Sequence, residues 1–173
     1  MLRRLTAAVL AVALASSCFA VAAQAQSWQC APFARLVSGI SLFGDAWTWW
    51  DQASGKYERG STPQAGAVLA FRPYASMSKG HVAVVTQVLT DRIIQVTHAN
   101  WSPISGQRGQ VEKDVTVVDV SDAGDWSRVK VWYDPVGDVG TTVYPVYGFI
   151  YQSTEAMQVA ALDAEGWAET AAR

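Results

Sequence analysis

Two runs rich in β-branched residues, HVAVVTQVL (His81–Leu89) and RIIQVTHAN (Arg92–Asn100), are separated only by Thr90 and Asp91. Val, Ile and Thr fit a pleated surface better than a helix. Two such runs joined by so short a link read as an antiparallel hairpin. With a two-residue loop Leu89 faces Arg92, and the numbers of paired residues sum to 181. His81 then lies opposite Asn100, and His98 opposite Ala83, diagonal to His81. A slip of two residues puts the two histidines directly opposite each other. In every register of this parity His81, His98 and Asn100 share one face, because side chains alternate along a strand. A bulge or a three-residue loop would break the pairing. The whole chain has two histidines, and both lie in this hairpin.

Around the hairpin the chain runs from helices to strands. Phe33, Leu36, Val37 and Ile40 fall at helical spacing, with Pro32 near the start and Gly39 near the end. A second short helix is expected over Asp45 to Ala53, carrying Trp47 and Trp50 on one side. Ala67 to Phe71, VEKDVTVVDV, RVKVWYD and VYPVYGFIY supply further strands. Two helices followed by about six strands predict an α+β fold, a mostly antiparallel sheet with helices packed on one side. Residues 153–173 are alanine-rich and read as a helical tail.

The N-terminus reads as an export signal. Arg3 and Arg4 precede an apolar run from Leu5 to Val21, and Ala23-Gln24-Ala25 offers the small-x-small pattern of a cleavage site. A transmembrane anchor is the rival, but Ser16, Ser17 and Cys18 interrupt the run. A lipidated Cys18 is a poorer alternative, given Ala15 upstream. Residues 1–25 are therefore expected to be a signal peptide cleaved near Ala25, residues 26–152 the working domain, and the location periplasmic or secreted. Loss of Arg3 and Arg4 leaves 11 basic against 15 acidic residues, a net charge of −4. That argues against nucleic acid or an anionic membrane surface as partner, and no stable membrane insertion is expected after cleavage.

Cleavage leaves Cys30 as the one remaining cysteine. An odd thiol in an exported chain is intermolecular glue or a reactive group. Cys30 opens the first expected helix, whose N-terminus favours a thiolate, as does a neighbouring imidazole. A thiol nucleophile, a histidine base and a third group to orient that base make a hydrolytic constellation, and Cys30, His81 and His98 supply the three. Zinc is the rival use of one cysteine and two histidines, but no Cys-x-x-Cys or His-x₃₋₅-His spacing occurs. No metal or other cofactor is expected. Eight tryptophans are many for this length, and Trp47, Trp50 and Trp101 are candidates for lining a substrate groove.

In order, WQCAPFAR, AWTWW, PQAGAVLAF, GHVAVVTQV and VTHANW, from Trp28 to Trp101, resemble the CHAP domain, a cysteine, histidine-dependent amidohydrolase/peptidase. The resemblance implies a papain-like fold of the NlpC-type superfamily, with Cys30 as nucleophile and His81 as base, and residues 26–152 as the hydrolase domain. It also implies a peptidoglycan or peptide-like amide as substrate, cut at the muramoyl–alanine amide or within the stem or cross-bridge. The sequence departs from the pattern at His98, where many members carry Glu or Asp. NlpC-type relatives use His there, so His98 is carried over as orienter, with Asn100 as support or substitute. The backbone N–H of Cys30 and the side chain of Gln29 are the expected oxyanion donors. A cell-wall-associated protein partner would help such a domain reach its substrate. The alternatives are a non-catalytic cell-wall or peptide-binding module on the same fold, and a small-molecule amide hydrolase.

Overall fold

The computed structural model describes residues 27–152. The expected signal peptide and the expected C-terminal helical tail lie outside the described residues. Helix α1 (Cys30–Ser38) comes first; a 3₁₀ turn at Ala46–Thr48 then leads into the single turn of α2 (Trp49–Gln52). Eight strands follow: β1 (Arg59–Gly60), β2 (Val68–Phe71), β3 (His81–Val88), β4 (Ile93–Ala99), β5 (Val111–Asp119), β6 (Arg128–Tyr133), β7 (Asp138–Val139) and β8 (Tyr144–Ile150).

All strand pairs are antiparallel, and the sheet closes on itself. The last strand, β8, pairs with β2 on one side (Val68 opposite Ile150) and with β6 on the other (Val129 opposite Tyr144). Strands β2, β3, β4, β5, β6 and β8 thus form a six-stranded barrel, with β1 and β7 as short additions. This overturns the expected α+β, papain-like arrangement of N-terminal helices layered on a sheet. Alternating apolar residues look the same in an open sheet and a closed one. Closure depends on the pairing of β8 with both β2 and β6, which no local pattern encodes. Bulges in the β2–β8, β3–β4 and β4–β5 ladders add the coiling that lets the edges meet.

Two cores result, one on each side of the barrel wall. Inside, Leu69, Phe71, Ala83, Val85, Ile94, Val96, Val117, Val131 and Phe149 fill the lumen. Outside, Val68, Ala70, Val82 and Val84 of β2 and β3 meet Ala31, Ala34, Ile40, Leu42 and Trp49 from the helical segment. Both alternate sets of β2 and of the first half of β3 are therefore buried.

The helices differ in detail from the expected apolar stripes. Phe33 and Ile40 of the expected stripe are buried, but Leu36 (65 % exposed) and Val37 (44 %) face outward, and α1 also buries Ala31, Ala34 and Ser38. Ala31, Ala34 and Ser38 lie on one helical face, and small side chains there bring the helix axis close to β3. Gly39 ends the helix in the left-handed region at φ 70°, its N–H donating to the Arg35 carbonyl. In the second segment the fully buried tryptophan is Trp49, while Trp47 stays 41 % exposed.

The hairpin reached its register by an indirect route. The loop holds three residues, since Leu89 N–H donates to the Ile93 carbonyl, and near the turn the paired numbers sum to 182 (Val88 opposite Ile94). A bulge at Thr86 then restores the sum of 181, with Val85 opposite Val96 and Val84 opposite Thr97. Each irregularity alone would have put the histidines on opposite faces. Together they cancel, and both histidines point into the barrel.

Candidate active site

Cys30 is the first residue of α1, and its thiol is half-buried. The preceding chain is tied to the barrel by Trp28, whose N–H donates to the Gly109 carbonyl (2.8 Å) and whose ring meets Phe33 edge-on. Gln29 caps the helix with an extended backbone and no side-chain cap bond. Burial pushes the Cys30 thiol up from its ordinary value. The backbone N–H groups of Val82, Ala31 and Cys30 work the other way, and Asp45 adds to the rise. The expectation of a thiolate favoured by the helix N-terminus is thus reversed at rest, because desolvation outweighs the local dipoles.

The Val82 N–H that faces the sulfur belongs to the residue after His81. Gly80 precedes it in the left-handed region at φ 64°, and a side chain there would strike the Phe71 carbonyl at 2.8 Å. Glycine lets the loop from Tyr74 to Lys79 turn tightly into β3, which aims His81 inward opposite Phe71. His81 is packed edge-on against Phe71 and lies 4.9 Å, ring to ring, from Trp101.

His81 Nε2 lies 3.0 Å from His98 Nδ1. The contact uses the ε nitrogen of His81, not the δ nitrogen that a chymotrypsin-like arrangement would use, so Nδ1 of His81 is the nitrogen left for the thiol. Burial pushes His81 well below its ordinary value, with His98 and Arg108 adding to the effect. Burial alone takes His98 down to about 3. Both rings are neutral at pH 7.

Asn100 is placed differently from either expected role. It sits just past β4 at φ 65°, a left-handed conformation that Asn tolerates. Its Nδ2 donates to Gln29 Oε1 at 2.9 Å. Asn100 therefore holds the amide oxygen of Gln29, a residue that lines the cleft, and not the His81 ring.

The cleft at this end of the barrel has a volume of about 1120 Å³. Gln29, Cys30, His81, Asn100 and Trp101 line it together. Of the three tryptophans proposed for a groove, only Trp101 does so. Trp50 is stacked on Tyr147 (6.0 Å) under Arg59, on the outer core, and Trp47 lies behind Gly80, its N–H bonded to the Lys79 carbonyl. The remaining wall was not foreseen. It comes from the loop from Tyr74 to Lys79, from Arg108, Tyr133 and Tyr144, and from residues 138–142. These are mostly loop residues, which carry no strand or helix period to read. Among the described residues, no three His, Cys, Asp or Glu side chains come together as a metal-binding group.

The segment from Trp28 to Asn100 thus holds every residue assigned a chemical role so far, and it coincides with a known family. Residues 21–100 match the family model for the CHAP domain. The CHAP resemblance is thereby shown. CHAP domains are hydrolases of the amidase and peptidase type, and the match points to a peptidoglycan-type substrate. No curated protein and no solved structure matches the chain. Strands β5 to β8, including the far wall of the cleft, lie beyond the matched segment.

Proposed function

We propose that this chain is an exported cysteine amidohydrolase/peptidase that cuts an amide bond of peptidoglycan with Cys30 as nucleophile, His81 as base and His98 as orienter. The observation that carries this reading is the buried 3.0 Å contact of His98 Nδ1 with the Nε2 of His81, a residue that lines one cleft together with Cys30. That contact fixes the plane of the His81 ring, which a general base needs.

In the resting protein the thiol and imidazole are both neutral, so the proton moves from Cys30 to His81 as sulfur attacks the amide carbon. The imidazolium formed then protonates the departing amine, leaving a thioester. Water, deprotonated by His81, releases the acid and regenerates the thiol. The Cys30 N–H at the helix N-terminus and the Gln29 amide held by Asn100 are the donors suited to the tetrahedral oxyanion. Residues 1–25 act as a signal peptide in this reading, and the working site is the periplasm or the exterior.

The test is fragment analysis. Purified peptidoglycan is incubated with the mature protein and with Cys30→Ala, and the released fragments are weighed. New amine and carboxyl ends from the wild type alone support the proposal and name the bond. Equal fragment patterns from the two proteins would sink it.

A further inference from the structure

His98 has a second ring nitrogen, and its surroundings are unusual. His98 Nε2 is fully buried and has no hydrogen-bond partner among the described residues. The nearest acid is Glu112, whose Oε1 lies 3.9 Å away, about 1 Å longer than an N–H···O bond. Glu112 is the cross-strand partner of His98 in the β4–β5 ladder and is itself 8 % exposed. Among the described residues its side chain accepts one bond, from the Ser102 N–H at 2.7 Å.

A buried carboxylate facing a buried, unpartnered ring nitrogen is costly unless the two are meant for each other. The backbone has been bent to bring this about. Between Val96–Val115 and His98–Glu112 the ladder skips one residue on β4 and two on β5. Asp114, in the extra position, is forced to φ 54°. Without that bulge strict alternation from Val115 and Val117 would turn Glu112 to the outside.

The proton positions follow. Two neutral rings joined through His81 Nε2 and His98 Nδ1 share one hydrogen. If His98 held it on Nδ1, His81 would carry its own on Nδ1 and have no lone pair for the thiol. The bare Nε2 of His98 would also face a carboxylate, lone pair against negative charge. If His81 holds the shared hydrogen on Nε2, its Nδ1 is a free base, and His98 presents an Nε2–H to Glu112. We propose that Glu112 is a positioning residue of this site, its buried carboxylate fixing His98 in the Nε2–H form so that His81 keeps Nδ1 free as the base. A carboxylate of the kind many CHAP domains place at position 98 is then present after all, one imidazole further out.

The inference rests on the function proposed above, but its first test needs no substrate. With two histidines in the chain, ring ¹⁵N–¹H correlation spectra of the mature protein at pH 7 assign each tautomer, His98→Gln identifying the signals. His98 is expected as Nε2–H, and an Nδ1–H form of His98 in the wild type overturns the inference outright. Glu112→Gln keeps the size and the acceptor for Ser102 but removes the charge. It should mix the His98 tautomers and lower kcat about tenfold with KM within about twofold, a smaller loss than removal of a direct partner of the base gives. Glu112→Asp, which keeps the charge, should hold the tautomer and recover part of kcat. Unchanged ring signals and unchanged kcat in Glu112→Gln would also overturn it. If the wild type cuts no peptidoglycan yet His98 is held as Nε2–H in a Glu112-dependent way, the substrate assignment falls and the positioning role stands.

Discussion

Strand β5 buries an acid at each end, and the two acids live in opposite circumstances. Asp119, at one end of the barrel, is saturated. Its Oδ1 accepts from the Ser121 N–H (2.8 Å) and hydroxyl (2.6 Å), and its Oδ2 accepts from Arg92 (3.1 Å) and the Trp126 N–H (3.3 Å). Glu112, at the other end, accepts a single bond among the described residues and faces an imidazole nitrogen that has no partner among them. A carboxylate with every lone pair occupied holds loops together and is not free to respond to anything. One left short of partners beside a titratable ring retains interaction energy that a reaction can use. On the function proposed above, the first end serves stability and the second serves chemistry, and substitutions should separate them.

The largest expected effect is at the structural end. Asp119→Ala removes four acceptor contacts at once and leaves the N–H groups of Ser121 and Trp126 buried without partners. Breaking such a buried charged network costs about 3–5 kcal/mol, a large part of a small domain's stability. Urea unfolding should show the midpoint fall accordingly, while kcat of the remaining folded fraction stays at the wild-type value. A folded, fully stable Asp119→Ala protein would erase the distinction between the two acids.

At the chemical end the comparison predicts an interaction between sites. His98→Ala should lower kcat about 100-fold, the order of a general-base contribution, with KM nearly unchanged. His98→Glu, taken alone, restores the group that many CHAP domains carry but sets two carboxylates at paired positions of β4 and β5. Like charges there oppose each other, so this variant recovers little activity on its own. His98→Glu combined with Glu112→Gln removes the conflict and should recover more. Activity of the double variant no better than that of His98→Glu would mean that Glu112 does not act on position 98.

How far the sequence could be read follows the same division. The hairpin pattern did place His81 and His98 on one face, but only because a three-residue loop and a bulge at Thr86 compensated each other. Local propensity marks strands well and bulges poorly, since one extra residue changes no composition. The bulge at Asp114 did leave a trace. In VEKDVTVVDV the apolar alternation Val115, Val117 loses its phase at Lys113-Asp114, and that break is what turns Glu112 inward. Barrel closure left no such trace, because β8 must find β2 75 to 82 residues back along the chain. The reversed thiol expectation has a different cause: burial of Cys30 against β3 depends on the small face of α1, and the apolar stripe through Leu36 and Val37 pointed to another face.

Acid should act on the chemical end first. Both histidines are buried neutral, with His98 held at about 3 and His81 also low, while an unfolded histidine titrates near 6.5. Below pH 6.5 the unfolded chain therefore binds more protons than the folded one. The stability these rings contribute is complete above about pH 6.5 and is lost as pH falls toward 3, by up to about 1.4 kcal/mol per pH unit for each ring. Urea midpoints measured from pH 7 to pH 4 should decline on that account, and His98→Gln should flatten the decline. An equal slope in the variant would mean that the acid sensitivity comes from elsewhere.

The smallest effect tests the thiol itself. Burial raises Cys30, so iodoacetamide at pH 8 should label the folded protein more slowly than the urea-unfolded chain, by a few-fold or more, and the folded rate should still be climbing above pH 9. A thiol already ionised by His81 would do the reverse, reacting faster when folded and holding a plateau down to pH 6. That result would mean that the resting site is an ion pair, and proton transfer would then precede attack instead of accompanying it. The His98→Ala variant adds a further distinction. In a neutral pair the orienter matters only when His81 takes the proton during the reaction, so the labelling rate should barely change while kcat falls. If labelling fell together with kcat, His98 would already be shaping the thiol in the resting protein, and the division between a quiet resting site and a responsive one would have to be redrawn.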